Sequence, residues 1–422
     1  MAIELQKQSN IAKVNVLNEL LPQKYESGGN GLCLETSWRC VFSHDNQLFA
    51  YSSGDSIVHL IDYTKLISRY DRNRDESANN YNNNNNDLNI NNNINNNFNK
   101  SIECNHLVRS VSFALMANLH KSTAFWHRSA QFKQYFLITG HSSGRVRIWD
   151  IDSGKLLLEL LDHKACVTHV ECNDTGILAS TSTDGTIKLW DLIDGGNLLK
   201  TIKNDGKPLF GCRWAPDSKS FVTFGMRKTV FVYEAHDYTV KHKLVAHQHT
   251  VSSADYSPDS RLIVTASWDT TAIIWNANSG EILTKLYHLK PRPTLMWAGG
   301  ENGHHIRSVS FSPDGAHIAT VADDGFVRIW DICNDDSPEA ICPVTHGLCC
   351  TYSKSGQVLA VGTRSGSVTV LESHSCVKSL LFLCRLAIGK HMRWSSDTID
   401  ANDNTLAIPH GLVNYLNYQE LT

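Results

Sequence analysis

Gly140-His141-Ser142-Ser143-Gly144 is a formal match to G-x-S-x-G, the elbow that presents a nucleophilic serine in hydrolases. That elbow turns from a strand into a helix. Here the segment runs into RVRIWD and aligns with TSTDG of the following repeat, a strand–turn–strand position, so no catalytic role is expected for Ser142. His247 with His249, and His304 with His305, are of metal-ligating type, but neither pair has a third and fourth ligand at a recognisable spacing. Neither a phosphate-cradling G-x-x-x-x-G-K-[ST] loop nor a Gly-rich dinucleotide fingerprint occurs. The expectation is a chain with no catalytic residues, no cofactor and no metal.

The elements that carry these residues are repeats. RVRIWDIDSGKLL (145–157), TIKLWDLIDGGNLL (186–199), TAIIWNANSGEIL (271–283) and FVRIWDICNDD (326–336) are versions of one unit. Its tryptophan or a substitute recurs at Trp149, Trp190, Tyr233, Trp275, Trp330 and Leu371, in steps of 41, 43, 42, 55 and 41 residues. A step near 40 is WD-repeat spacing. Within residues 163–203 the pattern alternates as VTHVECN, ILASTST, TIKLWDL and LLKTIK, separated by NDTG, DG and GG, which predicts four short strands and so one antiparallel blade. With a first blade at about 38–62 and the others ending near 150, 191, 234, 276, 331 and 372, the count is seven, an all-β propeller whose closure removes unpaired sheet edges.

The WD-repeat resemblance implies a hydrogen-bonded tetrad tying loop to turn: His163, Ser180 or Ser182, Asp184 and Trp190 in blade three. Blade five repeats it as His247, Asp269 and Trp275, and blade six as His305, Asp324 and Trp330. The turn Asp becomes Ser143 in blade two, Arg227 in blade four and Ser365 in blade seven, while blade one keeps Asp55 but has Ile61 for Trp. Those blades are expected to be held more by packing than by a polar network.

Three stretches stand outside the rhythm. Residues 1–30 form an N-terminal segment in which Val14 to Leu21 either supplies an outer strand to the last blade or forms a short helix beside it. Residues 70–103, dominated by ANNYNNNNNDLNINNNINNNFN, hold too little apolar surface to offset ordering entropy and read as a disordered loop inside the propeller of residues 31–372. HLKPRPTLMWAGGENGHH (288–305) lengthens the link between blades five and six and carries Pro291, Pro293, Met296 and Trp297, apolar residues that could form a contact surface.

A hydrophobic content of 41%, a charged content of 19% and a net charge of -3 are ordinary for a globular chain and create no field that favours nucleic acid or a membrane as partner. The first residues lack a signal-peptide core and no stretch of about 18 apolar residues follows, so a place in the cytosol or nucleus is expected. The 12 cysteines show no C-x-x-C pair and are expected to be reduced core residues.

After Leu371 the strand–turn rhythm stops, and residues 373–422 differ in kind. SLLFLCRLAI places Leu380, Cys384 and Ile388 at i, i+4 and i+8, one face of a helix. Ser379-Leu380, Cys384 and Ile388 resemble the Elongin C-binding element of a SOCS box. Leu406-Ala407-Ile408-Pro409 followed by Leu412, Tyr415 and Leu416 resembles the cullin-contacting half of the same box, with Ala407 where a first proline is usual.

Together with blade-like stretches such as TGHSSGRVRIWDIDSGKLLLELLDH and WAGGENGHHIRSVSFSPDG, these residues make the chain resemble the WD repeat and SOCS box-containing protein family. The resemblance implies a small helical SOCS box in which Leu380, Leu381, Cys384 and Ile388 contact Elongin C of the Elongin B/C pair. Leu406, Ile408, Pro409, Leu412, Tyr415 and Leu416 would contact a cullin scaffold that carries a RING subunit. The propeller would capture a target protein, making the chain a non-catalytic substrate receptor of a ubiquitin ligase; a plain WD-repeat scaffold is the alternative. Arg109, Arg213, Asp255 and Arg307, near the start of each inner strand at the narrow face, form a candidate substrate face unless they are simply solvated charges of the channel.

Overall fold

The structure is a computed structural model that describes residues 12–13, 16–20, 39–52, 56–63, 99–115, 135–289, 304–332 and 337–373. Seven antiparallel sheets follow one another along the chain as the blades of a propeller. Blade three shows the plan: Val167–Cys172 is the inner strand, then come Ile177–Ser182 and Thr186–Asp191, and Asn197–Lys203 is outermost. The second and third strands are buried on both faces, whereas the outer strand is largely exposed. The turn between the second and third strands needs Gly185, which has φ +77°, and a Cβ there would lie 2.9 Å from the Gly206 backbone.

The core is divided into seven apolar clusters, each built from the facing sides of two successive blades. Trp190 of blade three packs with Ile138 and Ile148 of blade two, and Trp330 of blade six with Val264 and Ile274 of blade five. Hydrophobic burial therefore joins blades, and no blade holds a core of its own. The inner strands of neighbouring blades do not pair, so their outward N–H groups need other acceptors. Ser110 Oγ accepts from the Val170 N–H at 3.1 Å, and Ser308 Oγ from the Cys350 N–H at 3.2 Å.

Closure comes from the N-terminal segment. Val16–Leu20 runs antiparallel to Val368–Glu372 as the outer strand of blade seven, with Leu20 opposite Val368. The strand alternative for Val14 to Leu21 is thus the one realised, and the propeller begins before residue 31. Ala12–Lys13 adds a short parallel pairing to Ala340–Pro343 of blade six.

The expected loop of residues 70–103 is also too long. Asn99–Glu103 is the outer strand of blade one, paired with Ile57–Asp62. Ile102 inserts into the core between blades one and two, and this burial, together with a full ladder of backbone bonds, orders the end of the asparagine-rich run. The remainder of that run, and residues 290–303 of the second insertion with Pro291, Pro293, Met296 and Trp297, lie outside the described residues.

Candidate functional site

In blade three the tetrad is a continuous chain of hydrogen bonds. His163 Nδ1 is 3.0 Å from Asp184 Oδ2, and His163 Nε2 is 2.8 Å from Ser180 Oγ, which accepts from Trp190 Nε1 at 2.9 Å. Ser180 is therefore the hydroxyl of the set. Ser182 instead accepts from the Asp184 N–H and donates to the Ala165 carbonyl. Burial opposes the charge of Asp184. Even so, hydrogen bonds from Thr186, from the Lys164 N–H and from His163 hold its carboxyl down at about 2. Burial lowers His163 too, so the pair is a neutral imidazole on an ionised carboxylate.

Blade five repeats this geometry with His247 Nδ1 2.9 Å from Asp269, His247 Nε2 2.7 Å from Thr265 Oγ1, and Trp275 Nε1 2.8 Å from the same hydroxyl. Blade six does not. His305 turns away and lies 2.7 Å from the Trp268 carbonyl, while Asp324 is held by Arg328 and, at 3.5 Å, by His304. His305 stands 19 residues before Asp324, against 21 for His163 and 22 for His247, and Arg328 from within the sheet supplies the positive partner instead. Only Trp330 keeps its tetrad bond, to Thr320 Oγ1 at 2.9 Å.

Blade two departs in the other direction. His141, at the end of a strand, lies 2.8 Å from Thr139 Oγ1, which also accepts from Trp149 Nε1 at 2.8 Å. Burial and the charge of Arg147 push the His141 imidazole down to about 4. A polar network of His141, Thr139 and Trp149 therefore persists in this blade without a turn Asp. In blade seven Thr363, Ser365 and Ser367 share mutual hydroxyl bonds of 2.8–3.0 Å.

The same region disposes of the serine elbow. Ser142 follows the strand Tyr135–His141 and precedes the strand Val146–Asp150, with no helix between them, and both His141 nitrogens are already engaged. Among the described residues no group of three or more His, Cys, Asp and Glu could hold a metal ion.

The four charged residues of the candidate substrate face separate into two levels of the channel. Arg213 bonds Glu171 of blade three at 2.9 Å and Asp255 of blade five at 3.1 Å. The two carboxylates also accept the Trp214 and Phe311 N–H groups, so Arg213 and Asp255 link blades three to six. Neither lines the cavity at the channel mouth. Arg213 and Asp255 stand in the channel wall, where their charges satisfy one another.

Arg109 and Arg307 do line that cavity, which measures about 400 Å³, together with Arg39 of blade one and the apolar Phe210, Trp268 and Leu348. Arg307 forms a bidentate pair with Asp323, at 2.7 and 2.6 Å, and its guanidinium lies 5.2 Å from the Trp268 ring centre. Trp268 is flanked by His249 and His305, each with its ring centre 5.6 Å away. Sequence reasoning missed Arg39 and Trp268. Trp268 sits just before the turn aspartate, where blade three has Thr183 and blade six Asp323, and that exchange was the available signal. Arg39 gains meaning only once closure brings blade one beside blade seven.

Leu380, Leu381, Cys384, Ile388, Leu406, Ile408, Pro409, Leu412, Tyr415 and Leu416 lie outside the described residues. The structure nonetheless fixes where their segment starts, at Ser373, after the third strand of a blade whose fourth is already filled by Val16–Leu20.

A family model for the WD domain, G-beta repeat, matches residues 154–191, 238–276 and 298–331. The chain is 35% identical over 398 residues to WD repeat and SOCS box-containing protein 1 of Xenopus tropicalis, covering 91% of this chain and 92% of that protein. The human protein of that name is 35% identical over 395 residues, 92% of each chain. The Danio rerio protein is 34% identical over 430 residues, 98% of each, a match that takes in most of the segment after Ser373.

Proposed function

The chain belongs to the WD repeat and SOCS box-containing protein family, and from that premise we propose that it is the substrate-recognition subunit of an Elongin B/C–cullin–RING ubiquitin ligase. The observation that carries the proposal is the division of labour within the chain. The N-terminal strand completes blade seven, so the segment after Ser373 is not needed to close the sheet and is available as a separate docking element. That segment holds Leu380, Cys384 and Ile388 at one-face helical spacing, and then the Leu406 to Leu416 pattern.

In this reading Leu380 fills a pocket on Elongin C and Cys384 is small enough to let the helix approach. Leu381 and Ile388 add apolar area, and Leu406, Ile408, Pro409, Leu412, Tyr415 and Leu416 meet the cullin. The propeller holds the target near the charged conjugating enzyme, which makes attack by a target lysine effectively intramolecular. The acyl transfer belongs to the partners, and no residue of this chain takes part in it. The assembly acts in the cytosol or nucleus.

Purified full-length chain should retain purified Elongin B/C in a pull-down, and the Leu380→Ala, Cys384→Ala double variant, shown by circular dichroism to keep its β signal, should not. A folded wild type that fails to retain Elongin B/C would remove the ligase reading and leave a propeller scaffold.

A further inference from the structure

We propose that the channel mouth binds a carboxylate side chain of an extended target segment, with the aromatic or aliphatic residue beside it seated on Trp268 and Phe210. This names the class of target segment and rests on the receptor reading above. Three guanidinium groups, from Arg39, Arg109 and Arg307, come from three different blades to one cavity of about 400 Å³, room for one or two side chains with their backbone. Asp323 is taken up by Arg307 of the same cavity wall. Among the described residues none lies within ion-pairing distance of Arg39.

A chain of net charge -3 has thus gathered positive charge at one apolar-walled point. Burial and the neighbouring charge of Arg213 both disfavour the charged form of Arg39, and an anion in the cavity would relieve both. The indole Nε1–H of Trp268 is buried and makes no hydrogen bond among the described residues. Phe210, Trp268 and Leu348 supply the apolar wall that an acid alone would not need. A doubly charged phosphate fits less well, because Asp323 stands against Arg307 and would repel its second charge. A nucleic acid needs a basic stripe along its backbone, whereas this is a single enclosed point.

The test is selection from a display library of random nine-residue peptides on the immobilised full-length chain. Enrichment of Asp or Glu next to Phe, Trp, Tyr, Leu or Ile is expected. A synthesised winner should bind at least tenfold more weakly to the Arg39→Gln, Arg307→Gln and Trp268→Ala variants. Changing Arg145, which pairs with Glu159 and does not line the cavity, to Gln should leave binding unaltered. Arg307 is partly exposed, so Arg307→Gln carries the readout if Arg39→Gln does not fold.

Selection without acidic enrichment, or winners that bind all variants equally, overturns the proposal. A phosphoserine version that binds more than tenfold tighter than the glutamate one overturns the choice of carboxylate. Elongin B/C capture by the same preparations separates the two readings: intact capture with no acidic selection removes this inference alone, and lost capture with acidic selection removes only the ligase reading.

Discussion

Arg213 and the channel-mouth residues Arg109 and Arg307 belong to the inner strands of different blades, three residues apart in repeat register, or about 10 Å along the channel. At the deeper level Arg213 is matched by Glu171 and Asp255, which in turn accept backbone N–H groups of the next blades. At the mouth Arg39, Arg109 and Arg307 line a cavity, and Asp323 is paired with Arg307. The contrast shows that residue type does not assign a role in a propeller. A matched charge replaces the hydrogen bonds that unpaired inner strands lack, whereas at the mouth Arg39 lines a cavity and is paired with no described carboxylate.

That contrast can be broken first by deletion of the charges. Arg213→Met leaves two carboxylates in the wall without their cation and should destabilise the fold by about 3–5 kcal/mol in urea unfolding, the cost of stranding buried charge. Arg307→Gln, at the partly exposed mouth, should cost about 1 kcal/mol or less. Equal losses would erase the distinction between wall and mouth.

The same logic applied to the turns gives a smaller effect. Asp269→Asn in blade five weakens bonds to His247, Thr271 and the Gln248 N–H, and should cost about 2 kcal/mol. Ser365→Ala, at the corresponding turn of blade seven, should stay near 0.5 kcal/mol.

Acid unfolding sharpens the point. The Asp184 carboxyl is held at about 2, against about 3.9 for an unfolded aspartate. Its contribution is therefore present above about pH 4 and lost as pH falls toward 2. The stability of Asp184→Asn, followed by urea midpoints across that window, should fall less steeply than that of the parent. Smallest of all is Ser142→Ala, expected to change stability by no more than about 0.5 kcal/mol, with no labelling of Ser142 in the parent by a serine-reactive probe.

The sequence made the propeller legible because each blade repeats a strong local signal: alternating strands, a turn, and an aromatic residue near every fortieth position. Blades three and five followed it closely, since His163 and Asp184, or His247 and Asp269, are a fixed short distance apart. His305 misled because it stands only 19 residues before its turn aspartate, against 21 and 22 in blades three and five, and it meets the Trp268 carbonyl instead. Asn99–Glu103 was hidden by its asparagine-rich neighbours, with Ile102 its one apolar anchor. VLNEL at residues 16–20 suits a strand or a helix in isolation, and pairing with Val368–Glu372 decided it. The channel mouth was half legible: Arg109 and Arg307 could be placed by repeat register, but Arg39 and Trp268 join them only when the ring closes. The docking segment after Ser373 rests on its residue pattern and on the family relationship.

The central claim is that propeller and C-terminal segment are separate docking parts of one chain. Hydrogen exchange of the full-length chain with and without purified Elongin B/C tests it most directly. The account predicts new protection over residues 378–390 and an unchanged propeller from Arg39 to Ser373. Protection that appears in the blades or at the channel mouth, or none after residue 373, would contradict it.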